Sequence, residues 1–202
     1  MSARIQLRIL HGAHFACHFF LLIFPTAAIA IAAEAGGGYA AALALGTPLY
    51  AAFALATLPA GWLADRLDGG LLIAVFFLGC GAASLLAGLA PGETALMAAL
   101  ALLGLFAALY HPVGLALLTR LAERPGRTLA VNGVFGNLGL AGAALVTGVT
   151  ADLAGWRAAF ALPGLVALAA GAASLAALRR MPASGRAARP LPHAAPAVPG
   201  AA

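Results

Sequence analysis

Six long apolar runs, each about the length needed to cross a bilayer, constrain this chain more than any other feature. A spanning helix needs about 20 mostly apolar residues. Six stretches meet that requirement: Ile9–Ala33, Gly38–Ala64, Leu71–Leu89, Thr94–Thr119, Thr128–Ala151 and Trp156–Leu178. Charged side chains fall outside the runs or at their ends and make up 8% of the 202 residues. A water-soluble domain carries about 25%, so this chain has too little polar surface to be coated for water. Strands of a membrane barrel would be about ten residues long with alternating polarity, and nothing here alternates in that way. The expected fold class is therefore all-α: a polytopic membrane protein with six transmembrane helices in residues 1–180. Arg4 and Arg8 before the first run mimic a signal peptide, but the run is longer than a signal h-region and reads as a retained helix.

Arginine orients the bundle. All 11 basic residues are arginine. Arg4 and Arg8 precede span one, Arg66 follows span two, and Arg120, Arg124 and Arg127 follow span four. Arg179, Arg180, Arg186 and Arg189 follow span six, and Arg157 alone falls on the other side. Basic residues concentrate in cytoplasmic loops, so both termini are expected in the cytoplasm, which agrees with an even number of spans. Residues 181–202, "MPASGRAARPLPHAAPAVPGAA", carry five prolines and no apolar helical face. They read as a disordered cytoplasmic tail, in which His193 has no expected role.

The polar residues inside the runs are few and grouped. His11, His14 and His18 are spaced by three and four, within an arc of about 60° on one face of span one. At about 1.5 Å of rise per residue, His18 lies roughly 14 Å along its helix from the arginine-rich end. Span four runs the other way, and the same rise puts His111 roughly 12 Å from that end. The two imidazoles thus share a depth on different helices, and Tyr110 adjoins one of them. Ionisable groups within a membrane usually face a bundle interior or a wet cavity. A cavity shared by spans one and four is the functional reading; interface placement and helix-to-helix hydrogen bonding are the structural one. Pro112 would deprive the Ala108 carbonyl of its helical partner and bend span four at this point. Pro25 would bend span one, and Pro48, Pro59 and Pro163 would kink spans two and six. Span five holds Gly133, Gly136, Gly139 and Gly142, a pattern for close helix packing. Asn132 and Asn137 on that span either line a cavity or bind a neighbouring helix.

No Asp or Glu lies in the interior of any run. If protons are handled here, histidine is the available carrier, with an unperturbed pKa of about 6.5. Cys17 and Cys80 sit in apolar runs and read as small buried hydrophobes. The loops contain no nucleophile elbow, phosphate loop or metal-ligand spacing. No enzymatic activity, cofactor, metal or nucleic-acid partner is expected. "GAASL" occurs at Gly81–Leu85 and again at Gly171–Leu175, and an Ala-Asp pair ends the preceding span both times. This fits a three-plus-three inverted repeat, a transporter design.

The link "GWLADRLDGG" resembles the loop signature of the major facilitator superfamily, Gly-x-Leu-Ala-Asp-Arg-x-Gly-Arg-Arg. Gly61, Leu63, Ala64, Asp65 and Arg66 match it; Asp68 replaces the second glycine, and Gly69 and Gly70 replace the basic pair. "DLAGWRAAFALPG" at Asp152–Gly164 is similar to that superfamily's link between spans five and six. "ALYHPVGLAL" and "HFACHFFLLIFP" resemble its fosmidomycin-resistance-type branch. The resemblance covers about residues 9–180. It implies a bacterial inner-membrane secondary transporter that works by alternating access on a small molecule, and the histidines then make protons the expected coupled ion. Spans one and four would line the cavity, which places His14, His18, Tyr110 and His111 on the substrate or proton path. Gly61, Asp65 and Arg66 would form a gating loop. Such transporters have twelve spans, so a second half, separate or supplied by a homodimer, is expected. Two other classes stay open: a histidine-ligated membrane haem protein, and a truncated or regulatory half that moves nothing itself.

Overall fold

A computed structural model describes residues 3–180, and the proline-rich tail lies outside the described residues. The helices are α1 (Ala3–Ala35), α2 (Tyr39–Ala44), α3 (Thr47–Ala64), α4 (Gly69–Gly88), α5 (Glu93–Ala107), α6 (Tyr110–Leu121), α7 (Pro125–Ala154) and α8 (Trp156–Arg179). Among the described residues there is no strand. With α2–α3 and α5–α6 each counted as one crossing, six segments of the described residues are long and apolar enough to span a membrane. The links are short. Gly36 and Gly38 adopt φ of +69° and +78°, and Gly155, alone between α7 and α8, adopts +83°. Side chains with a Cβ rarely enter that region.

The helices pair across the two halves of the sequence. The α1 helix of span one packs along α7 of span five, α3 of span two along α5 of span four, and α4 of span three along α8 of span six. Exchanging spans one to three with four to six maps this set of pairs onto itself. That is the pattern a three-plus-three repeat produces. Both GAASL segments lie on the α4–α8 seam: Gly81 packs against the Gly164 carbonyl and Leu168, and Gly171 against Leu78. The Ser84 hydroxyl donates to the Phe160 carbonyl across the same seam at 2.7 Å.

Outer surfaces are apolar. Leu55, Leu58, Leu153 and Val166 are 70–84% exposed, an arrangement that water would penalise and lipid or a partner helix would not. The core lies between α1, α4 and the α5–α6 span, where Phe20, Phe24, Phe76, Leu100 and Tyr110 are fully buried.

The prolines act in two ways. In α1, Pro25 lies within a continuous helix, and the carbonyl it deprives of a partner, that of Leu21, accepts the Tyr50 hydroxyl at 3.0 Å. Span two divides between α2 and α3 just before Pro48, whose orphaned carbonyl, Ala44, accepts the Thr47 hydroxyl at 2.8 Å. Span four also divides. The sequence predicts a bend at Pro112, and the helical run is interrupted between α5 and α6 at Ala108 and Leu109, which both keep helical φ and ψ. Pro112 is then the third residue of α6, where a missing N–H is tolerated because the first-turn donors have no helical partner.

At one end of the bundle, Trp156 donates its indole N–H to Glu34 at 2.7 Å, and Arg157 reaches the other oxygen at 3.1 Å. This ties the end of α1 to the start of α8. Beside them lies a cavity of about 200 Å³ lined in part by Ile31, Leu45, Glu93 and Leu96. At the opposite end, Asp68 caps α4 by accepting the Leu71 N–H at 2.8 Å.

Candidate functional site

The polar interior of the bundle gathers where α1, α6 and α7 meet. Helical spacing places His11, His14 and His18 on one face of α1, and that face turns inward. His14 is the centre of the group. Its Nδ1 lies 2.7 Å from the Asn132 backbone carbonyl on α7. A carbonyl only accepts, so Nδ1 carries the hydrogen and Nε2 of the neutral ring keeps a lone pair. That lone pair faces His18 Nε2 at 3.1 Å, which fixes His18 as the donor in this contact.

Tyr110 backs His14 on one side, with ring centroids 4.9 Å apart and planes within 19°. Gly136 of α7 also lies against the ring: a Cβ there would fall 2.8 Å from His14 Cε1. The Tyr110 hydroxyl is fully buried and lies 3.1 Å from both the Leu10 carbonyl and Asn132 Oδ1. His11 Nδ1 approaches the same Asn132 oxygen at 3.0 Å, and its ring stacks on Phe135. Asn132 therefore joins three side chains from two other helices, one through its backbone and two through its amide oxygen.

His111 stands at the break between α5 and α6. Its ring meets His14, His18 and Tyr110 edge to face, each with centroids 5.4 Å apart, and Phe53 of α3 at 6.3 Å. His18 and His111 are half-buried, whereas Tyr110, His14 and Asn132 are buried. The cluster thus grades from a closed network to two rings that remain accessible, the arrangement of a polar cavity wall.

The other predicted residues lie elsewhere. Gly61 has open space around it. Asp65 caps the end of α3, and Arg66 donates to the Trp62 carbonyl at 3.1 Å while its guanidinium covers the Trp62 ring. Pro25 sits two turns beyond His18 on α1, and Pro112 follows His111. Asn137 is exposed. The Cys17 thiol donates to the Ala107 carbonyl at 3.6 Å, which agrees with a packing role.

The sequence from residue 10 to residue 200 matches the profile of the Major Facilitator Superfamily. The chain belongs to the major facilitator superfamily. This is a family of membrane transporters, not enzymes. Over 100 residues the chain is 40% identical to the puromycin resistance protein of Streptomyces alboniger, covering 48% of this chain and 20% of that protein. Solved structures of a peptide transporter, with sulfate or with alafosfalin, superpose with TM-scores of 0.69 and 0.70 at 23% and 22% identity. They cover 86% of this chain, which spans 37–38% of their length. The likeness shows the facilitator fold.

Within that fold the contact between α1 and α7 gives a direct test of the cluster. Gly136→Ala is expected to destabilise the protein by about 1–3 kcal/mol, because the His14 ring has Tyr110 behind it and cannot retreat. Gly133, one turn earlier, has nothing within 4 Å. Gly133→Ala should be neutral or slightly stabilising, since alanine favours the helix by up to about 1 kcal/mol. Thermal unfolding of the two variants in detergent checks the difference.

Proposed function

We propose that this chain forms one six-span wall of a secondary active transporter that exports a small molecule by alternating access, driven by protons. The observation that carries the reading is the histidine–tyrosine cluster on spans one and four, held from behind by Asn132 of span five. His14, His18, Tyr110 and His111 lie on the path of substrate or proton. No carboxylate occupies the interior of the spans, so imidazole is the group there that can carry a proton. The resistance role of the Streptomyces alboniger relative supports export over uptake. The motifs around His111 and from His14 to Pro25 support placement in the fosmidomycin-resistance-type branch.

The opposite wall is a second six-span unit, whether a second copy of this chain, a separate half or a further stretch of the same polypeptide. The apolar, exposed faces of α3 and α7 are available for it. Gly61, Asp65 and Arg66 gate the cavity at the end they share, and Pro25 and the break before Pro112 let spans one and four flex. The arginine distribution supports an inner-membrane protein with both termini in the cytoplasm. The haem reading gains no observation, since the imidazoles contact one another directly.

The test is drug accumulation in an efflux-deficient bacterium expressing the full chain, with puromycin and a panel of other amphiphilic compounds. Expression should lower accumulation of at least one compound, and an uncoupler should restore it. Crosslinking in the same membranes should trap the second wall. Unchanged accumulation across the panel, with the protein crosslinked to its second wall, would overturn the reading.

A further inference from the structure

We infer that His14, His18 and His111 form a binding site for a divalent transition-metal ion of the zinc class. Each residue offers one ring nitrogen, and no two of these donor atoms are more than 4.8 Å apart. Zinc holds imidazole nitrogens at about 2.0–2.1 Å in a tetrahedral array, which sets neighbouring donors about 3.3 Å from one another. The His14 and His18 Nε2 atoms are already 3.1 Å apart. Only His111 has to close, by at most about 1.5 Å to reach that same tetrahedral spacing. It is the second residue of α6, just after the interruption of the helix at Ala108 and Leu109.

A second observation is independent of these distances. Histidines that ligate a metal usually donate their other ring N–H to a carbonyl or carboxylate, which fixes the tautomer and aims the lone pair. His14 has that arrangement before any ion arrives: Nδ1–H on the Asn132 carbonyl at 2.7 Å and the Nε2 lone pair toward His18. Tyr110 and Gly136 confine the ring between them. Besides the closure of His111, entry of an ion requires one proton shift. His18, which donates through Nε2 in this structure, moves its ring proton to Nδ1 and offers the Nε2 lone pair instead. No proton is released in that exchange.

The donor set determines the ion. Three neutral imidazoles without a carboxylate favour zinc, cobalt, nickel or copper over magnesium and calcium, which take oxygen ligands. Three protein ligands leave a fourth position open, as in sites that hold a water or an exchangeable ligand. His11 stands apart, turned to Asn132 and Phe135. The ion would pin α1 to α6. The inference rests on this geometry alone and holds whether or not the cavity carries an organic substrate.

The experiment uses the full chain purified with an affinity tag that contains no histidine. Titration with Co²⁺ should give one equivalent per chain with the visible absorption of tetrahedral cobalt. Zn²⁺ should displace it, and a large excess of Mg²⁺ should not. His111→Gln and His18→Gln should each weaken Co²⁺ binding at least tenfold, and His193→Ala should bind as the parent protein does. The titration of the unaltered protein decides independently of how the variants fold. Absence of tetrahedral bands, or bands lost on His193→Ala and kept on His111→Gln, would overturn the inference. Neither result would bear on transport, which the accumulation assay reads separately.

Discussion

His18→Gln and His111→Gln are each expected to lower the initial rate of drug efflux at least tenfold while the protein stays in the membrane at its normal level. The two rings are the accessible members of the cluster. Neither is bound to a backbone carbonyl, so their loss leaves little unsatisfied inside the bundle; His14 Nε2 loses one donor when His18 changes. Glutamine approximates the size of the ring and keeps hydrogen-bonding capacity, but it does not exchange a proton near neutral pH. A structural residue replaced in this way would lower stability and leave the rate per folded molecule intact. A residue on the path would do the opposite. Efflux rates normalised to folded protein, measured alongside unfolding temperature, separate the two. Rates within twofold of the parent protein in both variants would remove these histidines from the path.

Gly104→Ala and Gly139→Ala should be the most damaging single-methyl changes in the bundle. A Cβ on Gly104 would run into the Leu49 carbonyl of α3, and one on Gly139 into the Phe15 carbonyl of α1. Both obstacles are backbone, so no side chain can rotate away and the helices themselves must separate. Overpacking of this kind costs about 1–3 kcal/mol, occasionally more, and here it disrupts the contact on which two of the three helix pairs are built. The expected result is a large fall in unfolding temperature or loss of monodisperse protein in detergent. Gly148, on the open side of α7, has nothing within 4 Å. Gly148→Ala should leave both measurements unchanged.

Much of this architecture is legible in the sequence, because span length and the exclusion of charge are properties of composition. The common depth of His18 and His111 follows from helical rise alone. What escapes is rotation about helix axes. Asn132 and Asn137 are five residues apart in the same glycine-rich helix, and nothing local says which turns inward. Gly136 and Gly139 settle it by letting α1 approach one face of α7, and that face carries Asn132. His14 is the centre of the cluster for the same reason, although His18 is the deeper residue on its helix. The breaks in spans two and four were also hidden, since proline announces a weak point but not whether the helix bends or restarts. Asp68 reads as a departure from a loop signature. Its other signal, an acidic residue just before an apolar run, marks a helix cap, and the cap is what the structure contains.

The interleaved pairing has a consequence for how the protein is made. When ribosomes have delivered the first three spans to the bilayer, none has its main partner: α1 awaits α7, α3 awaits α5, and α4 awaits α8. Seams that join distant parts of a chain close late and slowly. Until span five follows, the histidine-bearing helix is therefore without its main partner, and its imidazoles are without the Asn132 carbonyl and amide that later receive them.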